Sequence, residues 1–204
     1  MNLSTQALKA SQNKSSLAKC LKENGFCRHG DTWNRTRGEV VDVVNFQGKS
    51  YQDTGAWDFT VNLGIGFYPV LRLVWQNALA FVIDETDCFP RAGIVNFSKG
   101  FDERVLDKWW TADSKSTLEA AAGEIEALLV QGCFPIMNSV VDLQSYDALC
   151  SLLTPLNAAE EISKCTASAL INGTEPLKAI RGNFEKSPGW SKRVDEIIDE
   201  LRGC

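Results

Sequence analysis

The chain has one histidine, His29, in the run Cys27-Arg28-His29-Gly30-Asp31. A Cys and a His two positions apart beside an acid could act as nucleophile and base, or as two metal ligands. On a strand such positions share a face, so the two side chains could meet. A zinc site needs three or four ligands, and no second Cys/His cluster follows in the sequence. A turn residue with no catalytic role is the simpler reading, and no metal or other cofactor is expected. Gly64-x-Gly66 lacks the lysine of a phosphate loop. It lies inside a strand-like alternation, where glycines mark a bulge or a close backbone approach. Paired carboxylates stand at Asp102-Glu103 and Glu160-Glu161, both in segments that read as solvated. No GxSxG, HExxH or Walker sequence occurs, so no catalytic residue is assigned.

A different chemistry is open to Asn45, Gln47, Thr60 and Asn62. If the two segments carrying them pair as strands, the four share one face, and Gly64 and Gly66 leave room beside them. Tyr51, Trp57, or the Trp109 and Trp110 pair would edge this patch. Amides offer donors and acceptors without charge, which suits recognition better than hydrolysis. His29, Arg35 and Arg91 are the charged side chains that could assist a small-ligand site there. The plain alternative is a solvated sheet face, or amides that bond one another and the backbone.

The positioning elements come from residues 39 to 68. Phe59, Val61, Leu63, Ile65 and Phe67 alternate with Thr60, Asn62, Gly64 and Gly66. Such alternation predicts a strand with one face on a core. Val40, Val44 and Phe46 share one face of the preceding segment, interrupted by Asp42. Val41 and Val43 share the other face with Asn45 and Gln47, as in a central strand. Gly48 to Ala56 reads as the connecting loop.

Before this pair, residues 3 to 24 carry an amphipathic helical pattern ended by Asn24-Gly25, and residues 31 to 37 read as a short strand. After it, residues 69 to 83 favour helix and Arg91 to Phe97 a buried strand. From Ser114 the pattern is helical. A capping box at Ser116 and Glu119 opens one helix, and Gln131-Gly132 ends it. Further helices are read over 143–153, from Thr154-Pro155 to Ile171, through Leu177 to Phe184, and from Pro188 to the end. Strands grouped before helices predict an α+β fold. Its antiparallel sheet has three to five strands flanked by helices, in a domain over 1–153. A helical C-terminal extension over 154–204 packs on it.

Hydrophobic content of 44% and charged content of 23% are those of a globular protein. Net charge is -5, but residues 1–37 hold seven Lys or Arg against Glu23 and Asp31. That basic segment admits a weak nucleic-acid contact. A solvated basic helix face is the simpler reading, so nucleic acid is an unlikely partner. Seven cysteines with no CxxC pair read as buried thiols in a reducing cytosol. The start has no apolar signal core, and no apolar run approaches the length of a membrane span, so a cytoplasmic protein off the membrane is expected.

Together the order of elements resembles a known family. The resemblance lies in Leu21-x3-Gly25-Phe26, Val43-Val44-Asn45-Phe46-Gln47, Phe59-Thr60-Val61-Asn62-Leu63-Gly64, Arg91-Ala92-Gly93-Ile94 and Trp109-Trp110. Over roughly residues 5 to 150 the chain resembles the bacterial domain of unknown function 4304. The stretch around 68–83 and the tail after Thr154 are departures from that pattern. The resemblance implies the fold class and a bacterial cytoplasmic setting, and no activity. The functional expectation is a non-enzymatic interaction protein, with immunity-type binding of a bacterial toxin as one concrete form. The alternatives are a small-ligand binder or hydrolase using the polar face around Asn62, and a weak nucleic-acid binder.

Overall fold

The computed structural model describes residues 15–50, 56–76, 82–101 and 107–203. Expectations for residues 3–14, for Tyr51 and most of the loop around it, for 77–81 and for Asp102-Glu103 fall outside the described residues.

Helix α1, Ser16–Glu23, is capped by the Ser15 hydroxyl accepting from the Ala18 amide. It ends at Asn24, with Gly25 at φ +85°. Its stripe of Leu17, Ala18, Cys20 and Leu21 is buried. The chain then forms a meander: β1 (Cys27–His29), β2 (Thr32–Arg37), β3 (Val40–Ser50) and β4 (Trp57–Phe67). Each strand is antiparallel to the one before. Two short strands, β5 (Arg91–Gly93) and β6 (Trp110–Ala112), both pair with β4, β5 at its middle and β6 at its start. The sheet is therefore antiparallel, as expected, with six strands where three to five were predicted.

Register decides which side chains meet. In β3 and β4, Val44 lies opposite Leu63, Asn45 opposite Asn62 and Gln47 opposite Thr60. Val40, Val44, Phe46, Phe59, Val61, Leu63, Ile65 and Phe67 are buried in one core cluster beneath the helices. Asp42 shares that face and is fully buried. Arg35 and Arg37 neutralise it, each with its Nε 2.8 Å from Asp42 Oδ2. Both guanidinium groups continue to the helix beyond, as described below.

Helix α2, Tyr68–Trp75, follows β4 with Pro69 in its first turn. The stretch expected as a strand over Arg91 to Phe97 divides after Gly93. Only Arg91–Gly93 is strand, and Ile94–Ser98 turns into helix α3. Buried Ile94 and Phe97 stand three apart, which fits a helical turn and not one strand face. Helix α4, Lys115–Leu128, begins at a capping box of Ser114 and Thr117, two residues before the predicted one. It does not stop at Gly132. A π-helical turn, Leu129–Cys133, carries it into α5, Phe134–Ser139. Gly132 serves a close approach: a Cβ there would lie 2.6 Å from the Ser98 Cβ. The continuous helix Lys115–Ser139 is long and apolar enough by composition to cross a bilayer. Its stripe from Leu118 to Met137 is buried in the core cluster.

At the end of α5, Arg37 donates to the carbonyls of Met137 and Val140, and Arg35 to Asn138 Oδ1. Cations at a helix C-terminus satisfy carbonyls that lack an internal partner. Helices α6 (Leu143–Ser151), α7 (Ala158–Asn172), α8 (Glu175–Arg181) and α9 (Pro188–Gly203) follow. The cap of α7 is Asn157, not Thr154. Arg193 of α9 donates to the last carbonyls of α2, at Leu73 and Val74. Ile162, Ala167, Leu177, Val194 and Ile197 from these helices lie in the same core cluster as the sheet.

Candidate functional site

The opposite face of the sheet is only partly covered. Near the start of β3, Val41 and Val43 pack with Leu71, Ile83 and Cys88 in a second, smaller apolar cluster. Gly64 and Gly66 of β4 make this possible. A Cβ at Gly64 would stand 2.7 Å from the Cys88 Cβ, and one at Gly66 the same distance from a Leu71 methyl. Farther along, Asn45, Gln47, Thr60 and Asn62 share the face, as their spacing predicted.

They do not all face the same space. Asn45 donates to Thr32 Oγ1 at 2.8 Å. Thr60 is buried and donates to the Lys108 carbonyl at 2.9 Å, so the approach to β6 covers it. Gln47 and Asn62 pair with each other at 2.9 Å and line an open groove of about 390 Å³. The tryptophans divide as well. Trp57 is fully buried on the core face, where its ring stacks on Phe59 at 4.2 Å and lies against Gly48. Trp110 is also in the core, with Nε1 donating to Glu124 at 3.0 Å. Neither edges the polar patch: Trp57 stands two residues before Phe59 on β4 and Trp110 lies opposite Phe59 on β6, so both point to its side of the sheet. Trp109 is half-exposed, with the Lys49 ammonium 4.4 Å from its ring centre.

The groove runs over Asn62 and its strand partner Gly93, whose missing side chain makes space for Asp107. A Cβ on Gly93 would lie 1.7 Å from Asp107 Oδ1. One wall is the 3-10 turn Glu85–Asp87, with Glu85 and Thr86 lining the groove. At the other end Arg91 Nε donates to Glu160 Oε1 at 2.9 Å. Glu160 also accepts from the Leu156 amide at 2.7 Å and from Asn157 at 2.8 Å, which fixes its carboxylate. It is only 5% exposed, so the reading of Glu160-Glu161 as a solvated pair fails for Glu160. Leu156, 84% exposed, projects at the rim. Arg91 and Glu160 also line a small adjoining cavity of about 80 Å³, with Phe89, Asn96 and Phe101.

The wall turn holds the most perturbed carboxyl of this site. Burial, then a hydrogen bond to the Asp84 side chain and the charge on Asp84, push Glu85 up to about 8. Asp84 is lowered, chiefly by that shared hydrogen bond. At neutral pH Glu85 therefore carries a proton and Asp84 a charge. Glu85 Oε2 is buried without a hydrogen-bond partner. Burial likewise raises Cys88 well above the usual thiol range, so it is an inert packing thiol.

Residues singled out for charge take other places. His29 is half-buried on β1 at the sheet edge, with two strands between it and β4. Arg35 and Arg37 are held by Asp42, which removes two cations from the basic N-terminal segment. Among the described residues no group of three His, Cys, Asp or Glu could hold a metal ion. Glu85, Asp107 and Leu156 were not foreseen. The acidic turn 84–87 was visible, but burial of one member leaves no periodic trace.

A family model described as Domain of unknown function (DUF4304) matches residues 17–139, and the chain belongs to that family. No curated protein and no solved structure matches it. The matched span contains the groove floor and the Glu85 wall; Leu156 and Glu160 come from beyond it.

Proposed function

We propose that this family member is a non-enzymatic interaction protein that docks part of a partner protein in the groove over Asn62 and Gly93. One observation carries the reading. A fixed set of charged and amide groups lies in an open groove directly beside a bare leucine, Leu156. Apolar contact next to satisfied polar groups is the make-up of a protein interface. The Gln47–Asn62 and Arg91–Glu160 pairs are already made, so the floor presents a preformed surface. The setting is a reducing cytoplasm, in keeping with the free thiols of the described cysteines. Immunity-type neutralisation of a bacterial toxin is one form of such docking.

The test is co-purification with the products of neighbouring genes. Wild-type protein retains a partner at micromolar concentration, and Leu156→Arg, with an unchanged melting temperature, loses it. No retained partner, or equal retention by the variant, counts against the reading.

A second reading has its own observation. Asp84 and Glu85 have proton affinities driven apart, and Glu85 lines the groove, an arrangement that acid–base catalysts use. Glu85 would then be the general acid of a hydrolase. Turnover of simple ester, phosphoester or glycoside substrates, abolished by Glu85→Gln, would support it. Unchanged turnover in that variant removes it.

A further inference from the structure

We propose that the groove is a seat for a guanidinium or ammonium group, the basic side chain of the docked partner, held between Glu85, Asp107 and Glu160. The inference rests on the docking reading above and gives it a chemistry.

Charge comes first. Asp107, Glu160 and Glu85 line the groove with one cation, Arg91, which Glu160 already holds. With Glu85 protonated at neutral pH and Glu160 paired to Arg91, the uncompensated charge there is that of Asp107, negative as is that of the whole chain at -5. An organic cation fits better than a metal. The carboxyl groups do not gather into a metal-holding cluster among the described residues, while the space of about 390 Å³ accepts a larger ion.

The second observation is independent of charge. Glu85 is 8% exposed, and its Oε2 has no donor. A carboxyl oxygen left without a donor is an acceptor that a ligand N–H would satisfy. Asn62 gives its amide N–H to Gln47, leaving its carbonyl oxygen to accept as well. Acceptors around a planar fork of donors suit arginine in particular. Leu156 at the rim offers an apolar surface to the aliphatic stem.

A cation arriving beside Glu85 favours its ionised form, so binding releases a proton. The groups that bear on this are Asp84, Asp87 and Cys88 on its own turn, Arg91 of β5, Asp107, and Glu160 of α7. Only Arg91 opposes the proton on Glu85 among these.

The experiment is calorimetric titration of the full chain with N-acetyl-arginine amide and with its neutral isostere, N-acetyl-citrulline amide. Guanidinium stays charged throughout, so any pH dependence belongs to the protein. The arginine compound should bind at least about tenfold more tightly than citrulline. Between pH 6.5 and 9 it should gain about tenfold, since each unit of pKa change is tenfold in the constant. Glu85→Gln should abolish the pH gain, and Asp107→Asn should weaken binding at every pH. Equal binding of the two compounds overturns the inference, and so does no binding of either at millimolar concentration. In either case a partner retained through Leu156 leaves the docking reading standing. Agmatine binding more than about tenfold tighter than the arginine amide would assign the seat to a free small cation and overturn the side-chain assignment.

Discussion

Replacing Glu85 by glutamine should flatten part of the pH dependence of stability. In the folded chain Glu85 keeps its proton up to about 8, against an ordinary value of 4.5. Between those values the folded state binds more protons than the unfolded state. The contribution of this group is therefore fully present below 4.5 and is lost as pH rises through about 8. At ~1.4 kcal/mol per pKa unit, a shift of this size sets a ceiling of ~5 kcal/mol. Asp84, whose affinity is lowered, loses its contribution only on acidification below this window and so offsets nothing between pH 5 and pH 9. Allowing for partial solvation of the Glu85 carboxyl, ~2 kcal/mol is the working figure. Glutamine keeps the shape, can donate to Asp84 and does not titrate in this range. Urea unfolding followed by tryptophan fluorescence at pH 5 and pH 9 measures the difference. Relative to wild type, Glu85→Gln should gain ~2 kcal/mol on going from pH 5 to pH 9. Parallel stability profiles, within about 0.5 kcal/mol, would show that Glu85 ionises normally and that the wall turn is not the proton-holding group described.

Asp42→Asn should destabilise the fold by ~3–5 kcal/mol, because it leaves two arginines facing a neutral amide at a fully buried position. Urea unfolding at neutral pH measures this, and a change below about 1 kcal/mol would deny the network its role. Gly93→Ala should displace Asp107, whose carboxylate occupies the space of the new methyl. Binding of the arginine amide should then fall about tenfold or more; unchanged binding would remove Asp107 from the seat. Tyr146→Phe should remove the hydroxyl's hydrogen bond to the buried Phe89 carbonyl and destabilise by ~1–2 kcal/mol in the same unfolding assay.

The strands were legible because large apolar side chains stand at every second residue of β4 from Phe59 to Phe67, although nearly the whole strand is buried. The shared face of Asn45, Gln47, Thr60 and Asn62 followed from that period alone, given the pairing that the register bears out. Periodicity fails where an element is one turn long. Gly93 ends a three-residue strand and Ile94 starts a helix, and an apolar stretch of that length fits either state. It fails again at Gly132, where a glycine that looks like a stop is demanded by the close passage of Ser98. The groove was half visible. Its floor is set by strand register, whereas Glu85, Asp107 and Glu160 arrive from a turn, a connection and a distant helix. Their meeting depends on tertiary packing that no local pattern encodes. The tryptophans misled because enrichment in aromatic residues says nothing about which face they take.

The buried charge and the open groove are two consequences of one register. A slip of one residue between β3 and β4 would turn Asp42 out of the core and carry Asn45 and Gln47 into it. Asp42 opposes such a slip, since its two arginines come from β2 and are themselves tied to the end of α5. Hydrophobic pairing alone would resist the slip less sharply on β3, which carries valines on both faces at its start. The ion network thus does for β3 what the apolar row does for β4. Holding the register holds Asn62 beside Gly93, and Gly93 is where Asp107 enters. Loss of Asp42 should therefore weaken ligand binding in any fraction that stays folded, although it lies on the opposite face of the sheet. Measuring arginine-amide affinity in Asp42→Asn below its melting temperature separates this coupling from simple unfolding: wild-type affinity in the folded variant would show that the groove does not depend on the network.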